Sequence, residues 1–245
     1  MEIVIDFVRV RRLIAQEYQQ ARAEIRSFGP LQAYQLSQQR HEERLGAAPD
    51  ANTLACQAGC SWCCHFTIDL RPVEAFRIAE FVAQTFDEQA RKRLSARIEA
   101  NGKITSVLDD MQRMQQNIEC AFLVEGRCSI YAARPQTCRN YHATNAAGCQ
   151  RSFEDPTNLE IDPEFAPLVY QIGGAHVEAF TKAMRDEGYD VDAYEMNLAL
   201  AAVVEDPQAL ERFLARYKPF PALEGGEVPD EFTEESDDSD QGSTR

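Results

Sequence analysis

The chain has 245 residues, enough for one sizeable domain with its own hydrophobic core, so it does not need cysteine staples merely to stay folded. It carries 40 acidic against 25 basic residues, a net charge of −15; residues 224–245 hold −8 of that, nine acids against Arg245, which leaves −7 for the body. An acidic body argues against sequence-independent nucleic-acid binding, which rests on Lys and Arg neutralising phosphates.

The opening MEIVIDFVRVRR places Glu2 and Asp6 where a secretory signal would be apolar. The longest apolar run, Leu198 to Val204, falls far short of the roughly 20 residues of a membrane helix. The expected setting is therefore cytoplasmic, with no membrane partner, where thiols stay reduced and cysteine patterns point to metal or catalysis rather than disulfides. In RRLIAQEYQQARAEIRSF the apolar residues Leu13, Ile14, Tyr18, Ala21 and Ile25 recur near the 3.6 period of a helix, which Gly29-Pro30 breaks. A second helix is expected over 31–45, then a loop over 46–52.

After the first cysteines, Pro72 suits a first helical position and Glu74 favours the helix N-terminus. Residues 87–116 read as helical and polar, with Gly102 expected to divide them in two. From 118 to about 163 Pro, Gly, Asn and Cys are frequent and helical periodicity is lost; AFLVEGRCSIY suits a short hairpin turning at Glu125-Gly126. Helices are expected again over 164–187, 191–204 and 207–217, and a disordered acidic tail over 222–245. The expected fold is mainly α: helices surrounding an irregular cysteine-rich metal-binding core, with at most a short β-hairpin. Its parts are N-terminal helices in 1–53, the cysteine region 54–150 with a helical insert 71–116, and C-terminal helices in 151–221.

The eight cysteines form two groups. The first is Cys56, Cys60, Cys63 and Cys64, within CQAGCSWCC; the second is Cys120, Cys128, Cys138 and Cys149. All eight are expected in non-helical or capping segments, none on an apolar helix face. A spacing of two between Cys60 and Cys63 lets a tight turn point both sulfurs at one ion, the local half of many zinc and iron-sulfur sites. Side chains of neighbouring residues diverge, so Cys63 and Cys64 suit different metal atoms better than one, which hints at more than one ion or a polynuclear cluster. Thiolates around a divalent ion also leave negative charge, so cations and donors are needed beside them. Arg127, Arg134 and Arg139 are placed for that, bonding sulfurs or pairing with a substrate anion.

GRCSIYAARPQTCRNY, from Gly126 to Tyr141, resembles the G-x-C-x-I-Y-x-x-R-P-x-x-C-R-x-[YF] signature of the YkgJ-like cysteine cluster family, described as a zinc- or iron-chelating domain with a CxxxCxxCC motif. Cys56, Cys60, Cys63 and Cys64 match that motif in full, and Cys120 and Cys149 fall where the family's flanking cysteines fall. The resemblance covers roughly 54–150; the family commonly has Pro after its counterpart of Cys120, where this chain has Ala121. It implies a bound metal, and through the family's flagellin lysine N-methylase branch it implies cluster-assisted methyl transfer with S-adenosylmethionine as the alternative.

Beside this stand plainer readings. His65 and His142 could replace a thiolate, but eight cysteines supply donors enough, so both are expected beside the ligands rather than among them. His41 and His176 lie in helical segments away from the clusters. Trp62 is expected to shield the site from water, and Tyr131 and Tyr141 to pack with a hydroxyl bond. Pro135 holds Arg134 extended and fixes the turn that delivers Cys138. Two function classes remain: a structural or chelating protein of zinc or iron, the iron as [4Fe-4S] in one version, and an iron-sulfur-dependent enzyme such as a protein lysine N-methyltransferase. Thiolates suit both metals, and the sequence does not decide whether there is a reaction or a protein substrate.

Overall fold

The computed structural model describes residues 7–226, except 58 and 162. Among these residues the chain is mainly helical, with two short two-stranded sheets. Helix α1 spans Phe7–Phe28 and α2 spans Pro30–Gly46. Gly29 between them has φ +82°, a left-handed conformation open to glycine, and Pro30 then starts α2 where no N–H is needed. Helix α1 buries Val10, Glu17, Ala21 and Ile25, and α2 buries Ala33, Tyr34, Ser37, His41 and Leu45; both stripes follow helical spacing but include polar residues.

Both helices pack on α8, Pro167–Asp186. A second group holds α3 (Pro72–Thr85), α4 (Glu88–Thr105) and α9 (Met196–Glu205). The two groups share one apolar core that includes Tyr34, Phe76, Ile78, Leu94, Ile98, Phe122, Phe180, Met184, Leu200, Phe213 and Phe220. Short helices complete the fold: α5 Asp110–Met114, α6 Gln136–Asn140, α7 Ala146–Glu154 and α10 Ala209–Leu214.

Strand β1, Asp69–Leu70, pairs antiparallel with β4, Tyr194–Glu195, and the N–H of Met196 continues the ladder to the carbonyl of Ile68 at 3.0 Å. That pair ties the exit of the first cysteine segment to the entry of α9, and it adds a second sheet to the single hairpin expected. The hairpin itself is present: β2 (Leu123–Val124) pairs with β3 (Arg127–Cys128), Leu123 opposite Cys128. Glu125 and Gly126 both have positive φ, 51° and 73°, as a two-residue turn that matches strand twist requires.

Several expectations on element ends are corrected. Gly102 does not divide its helix; it faces α9, where an added Cβ would stand 3.4 Å from Leu198 Cδ2. Because Leu94, Ile98, Gly102 and Thr105 take the inward stripe of α4, Ile104 is turned to solvent. The break comes later, where the Asp109 side chain accepts from the Gln112 N–H and starts α5. Residues 118–163 are also less irregular than their composition suggests. Helix α7 starts where Asn145 accepts from the Ala147 N–H at 2.9 Å, and Cys138 and Cys149 lie within helices α6 and α7 rather than in loops or caps. At the C-terminus, Gly226 exchanges backbone hydrogen bonds with Ala193; the rest of the acidic tail, 227–245, lies outside the described residues.

Candidate metal centre

The first cysteine motif is built from tight turns. The Cys60 N–H donates to the Gln57 carbonyl at 3.0 Å, and Gly59 takes φ +91° between them. A 3₁₀ turn, Trp62–His65, follows and carries both Cys63 and Cys64. It is closed by the Cys64 N–H on Ser61 O at 3.0 Å and the Phe66 N–H on Cys63 O at 3.2 Å.

The second motif is laid against the first by its backbone. The Cys120 N–H donates to Cys64 O at 2.8 Å, and the Ile118 N–H donates to His65 O at 2.8 Å. The Leu123 N–H then turns back to Cys120 O at 2.9 Å, and the hairpin register returns Cys128 opposite Leu123. Helix α6 delivers Cys138 and sits beside α8 and β1. At its start the Gln136 N–H donates to the buried Glu74 carboxylate at 2.8 Å. Glu74 also accepts from the Arg71 N–H at 2.7 Å, which caps α3, and from the Tyr34 hydroxyl at 3.2 Å.

The outer end of the first motif is tied elsewhere. The Ala55 N–H donates to Ala143 O at 2.9 Å, and the Ala143 N–H returns to Cys56 Sγ at 3.4 Å. Helix α7 packs on the Trp62–His65 turn, its Phe153 ring 5.3 Å from Trp62 and 4.7 Å from His65. The Phe153 ring thus holds both Trp62 and His65 in place on the turn.

All eight cysteines are free thiols. A bond from Cys63 to the neighbouring Cys64 sulfur, together with burial, holds the Cys63 thiol protonated. The same bond draws the Cys64 thiol down to about 7, helped by the Arg134 cation. That bond makes the two neighbouring thiols of the 3₁₀ turn a coupled pair. Burial pushes Cys120 up to about 12, and the nearby Cys64 and Cys128 add to it. Burial also raises Cys138, reinforced by Cys120, Cys128 and Cys64. Cys128 and Cys149 are raised by burial first, then by Cys64 in one case and by Cys56 and Cys60 in the other.

Thiols packed this way disfavour ionisation in each other's presence, and a cation among them would reverse that. Backbone donors already favour the thiolate at two positions: Phe122 N–H on Cys120 and Ile130 N–H on Cys128. Among the described residues no three Cys, His, Asp or Glu side chains surround one point as a finished ion cage; the sulfurs are neighbours around which such a cage could close. Donor chemistry, burial and N–H support all fit a thiophilic ion.

The arginines divide the supporting work. Arg134 lies over the Tyr131 ring at 4.1 Å, reaches Glu42 at 3.4 Å, and its charge eases ionisation of Cys64, Cys128 and Cys138. Arg139 is buried and spends its donors on Arg134 O at 2.8 Å, Ala132 O at 2.7 Å and the Glu42 carboxylate, so it is the one that satisfies carbonyls. Arg127 is exposed on the hairpin. Burial keeps the His142 ring neutral, and the Arg134 cation adds to this. Tyr141 packs edge-on against Phe66 and Phe165, at 6.0 and 5.5 Å.

Three supports went unread in the sequence. Glu74 carries only the mark of a helix N-terminal acid, and Glu42, which anchors both arginines, sits on an ordinary charged helix face. Arg97 donates to Leu123 O at 2.7 Å and Cys120 O at 2.9 Å, clamping the turn that carries Cys120. No local pattern marks Arg97, since its partners are carbonyls from a distant loop.

No curated protein and no solved structure matches the chain. Residues 55–161, the stretch that contains all eight cysteines, match the model of the CxxCxxCC family, which carries the description "Putative zinc- or iron-chelating domain" and supports metal binding in general.

Proposed function

We propose that this chain is a metal-binding protein in which Cys56, Cys60, Cys63, Cys64, Cys120, Cys128, Cys138 and Cys149 supply thiolates to zinc or iron. The observation that carries this reading is the backbone bond from Cys120 to Cys64, around which Cys64, Cys120, Cys128 and Cys138 become mutual neighbours. A bound ion would supply the positive charge that lets these buried thiols ionise together. It would also tie the first cysteine segment, residues 55–66, which has no buried residue among those described, to the helical scaffold, so that binding energy becomes folding energy.

The desolvation that raises the half-buried Cys120 and Cys138 thiols and the surplus of sulfur favour a closed, structural or chelating site over one with a position open to substrate. Arg134 balances thiolate charge in this reading, and Arg139, Glu42 and Glu74 position the segments. The helices of 1–53 and 151–221 serve as the frame on which 54–150 is held.

Anaerobic purification followed by zinc, iron and sulfide analysis tests the reading. Thiolate-bound zinc is colourless, whereas an iron-sulfur cluster gives a brown protein with broad absorption near about 400 nm. A folded preparation with neither metal would overturn it. Methyl transfer is tested separately: S-adenosylmethionine binding to the metal-loaded protein would move it into the enzyme class.

A further inference from the structure

The eight thiols are not equivalent neighbours. Cys64, Cys120, Cys128 and Cys138 each lie close enough to the other three to feel their charge. The architecture accounts for this. The Cys64–Cys120 backbone bond, the Cys120–Leu123 turn, the Leu123–Cys128 register and the Glu74-anchored start of α6 converge on one inner point. Arg134 faces this set, acting on Cys64, Cys128 and Cys138.

A second set gathers on the outer side of the Trp62–His65 turn. Residues four apart on a helix share a face, so Cys149 points the same way as Phe153, whose ring packs on Trp62 and His65. Cys149 is buried there and feels Cys56 and Cys60. The Ala55–Ala143 and Cys56–Ala143 bonds pin Cys56 beside the start of the same helix. Cys63 stands at the seam, near Cys56 on one side and Cys64 and Cys138 on the other. The inner set already has four sulfurs without it, and the outer set has three. The outer side reaches solvent at Cys56, the one exposed thiol of the eight, whereas Cys64, Cys120, Cys128 and Cys138 are each half-buried.

We infer that the chain holds two adjoining metal centres: an inner one on Cys64, Cys120, Cys128 and Cys138, and an outer, solvent-reachable one on Cys56, Cys60, Cys63 and Cys149. This rests on the reading that the cysteines bind metal and adds which sulfurs share an ion. Each centre has four thiolates, the number that closes a tetrahedral zinc site or anchors one iron-sulfur cluster. The outer metal, open to solvent at Cys56, exchanges before the inner one.

The test is metal content of the full chain, purified anaerobically, by native mass spectrometry and elemental analysis, for wild type, Cys56→Ser and Cys149→Ser. Each variant should lose the metal of one centre, keep that of the other, and keep the helical circular dichroism of the wild type. In the wild type, a water-soluble chelator should remove metal in two phases, and the fast phase should be missing from both variants. The inference is overturned if a helical Cys56→Ser loses all metal or none, or if the wild type holds a single centre that empties in one phase. Cys56 is at the surface, so its variant reads the outcome even if Cys149→Ser misfolds. A wild type with no metal at all would instead remove the function proposed above.

Discussion

Cys120 donates its backbone N–H to the carbonyl of Cys64 at 2.8 Å, and by that bond two motifs distant in sequence become one. The second segment is seated in the core by Phe122 and Ile130, but the first, residues 55–66, has no buried residue among those described, so its cohesion depends on what the sulfurs hold. Chelating the metal under anaerobic conditions is expected to lower stability by about 4 kcal/mol or more, the size expected for a ligand present at roughly a thousandfold excess over its dissociation constant. Urea unfolding with and without chelator measures it. In Cys138→Ser the loss is built in, so chelator should shift the midpoint less than in the wild type. Equal shifts in both proteins would show that Cys138 takes no part.

Glu74 carries three donors on two buried oxygens, and one of them is the first N–H of the helix that holds Cys138. Glu74→Ala leaves these donors without partners and is expected to cost about 2–4 kcal/mol, since buried groups lose their full desolvation compensation. Glu74→Gln keeps the shape but turns an NH₂ toward a donor, so it should recover only part of the loss. Both should release metal at lower chelator concentration than the wild type. Unchanged metal retention in a folded Glu74→Ala would disconnect this carboxylate from the centre.

Two buried helix glycines predict opposite outcomes. At Gly173 on α8 a Cβ would stand 2.5 Å from Asn140 Oδ1 and 3.1 Å from its Cγ, so the Asn140 side chain, which seats the end of α6 two residues after Cys138, must be displaced. At Gly102 the Cβ meets only the flexible end of Leu198 at 3.4 Å. Gly173→Ala is therefore expected to destabilise by about 1–3 kcal/mol, as overpacking does. Gly102→Ala should be neutral or stabilise by up to about 1 kcal/mol through helix propensity. Thermal melts of the pair decide it, and a stabilising Gly173→Ala would mean that α6 is not seated against α8 as described.

Gly102 also shows what sequence patterns convey. Glycine reads as a helix breaker when only local propensity is visible, yet here it lies on the inward stripe of an unbroken helix that packs on α9. Where the cause is local the pattern was readable: Gly29-Pro30 separates α1 from α2, Pro72 opens α3, and Glu125-Gly126 turns the hairpin. Helix α7 was missed although Asn145 is a good cap, because its apolar face is short and composed largely of Ala, Cys and Phe153. The candidate ligands were readable as chemistry, since thiols at chelating spacing stand out in any sequence. Their grouping was not, because it depends on a backbone bond between Cys64 and Cys120 and on which face of α7 Cys149 shares with Phe153.

The histidines set aside as remote from the cysteines carry a different consequence. His41 and His176 are fully buried, their ring centroids 4.9 Å apart. Arg44 donates to His176 Nδ1 at 2.5 Å, so Nε2 carries the proton toward Ser37 Oγ at 2.8 Å, and Ser37 in turn donates to Glu17 at 2.9 Å. Burial, then the Arg44 and Arg40 cations, lower the His176 pKa to about 3. Burial and the neighbouring His176 lower His41 to about 3 as well. In the unfolded chain both rings titrate near about 6.5, so between those values the unfolded state binds more protons and stability falls as acid is added. Two such rings give a slope approaching about 2.7 kcal/mol per pH unit near pH 5, above the range where most carboxylates titrate. Among the described residues no hydrogen bond of good geometry reaches either His41 ring nitrogen, and only Asn140 acts on the ring as a weak partner, so His41→Phe removes a poorly compensated polar ring at little cost near pH 7. It should also remove about half of the acid slope, while any acid-driven metal release is common to both proteins and cancels in the comparison. Urea midpoints for wild type and variant at pH 7, 6 and 5 measure this, and parallel pH profiles would mean that His41 is not held neutral by its burial.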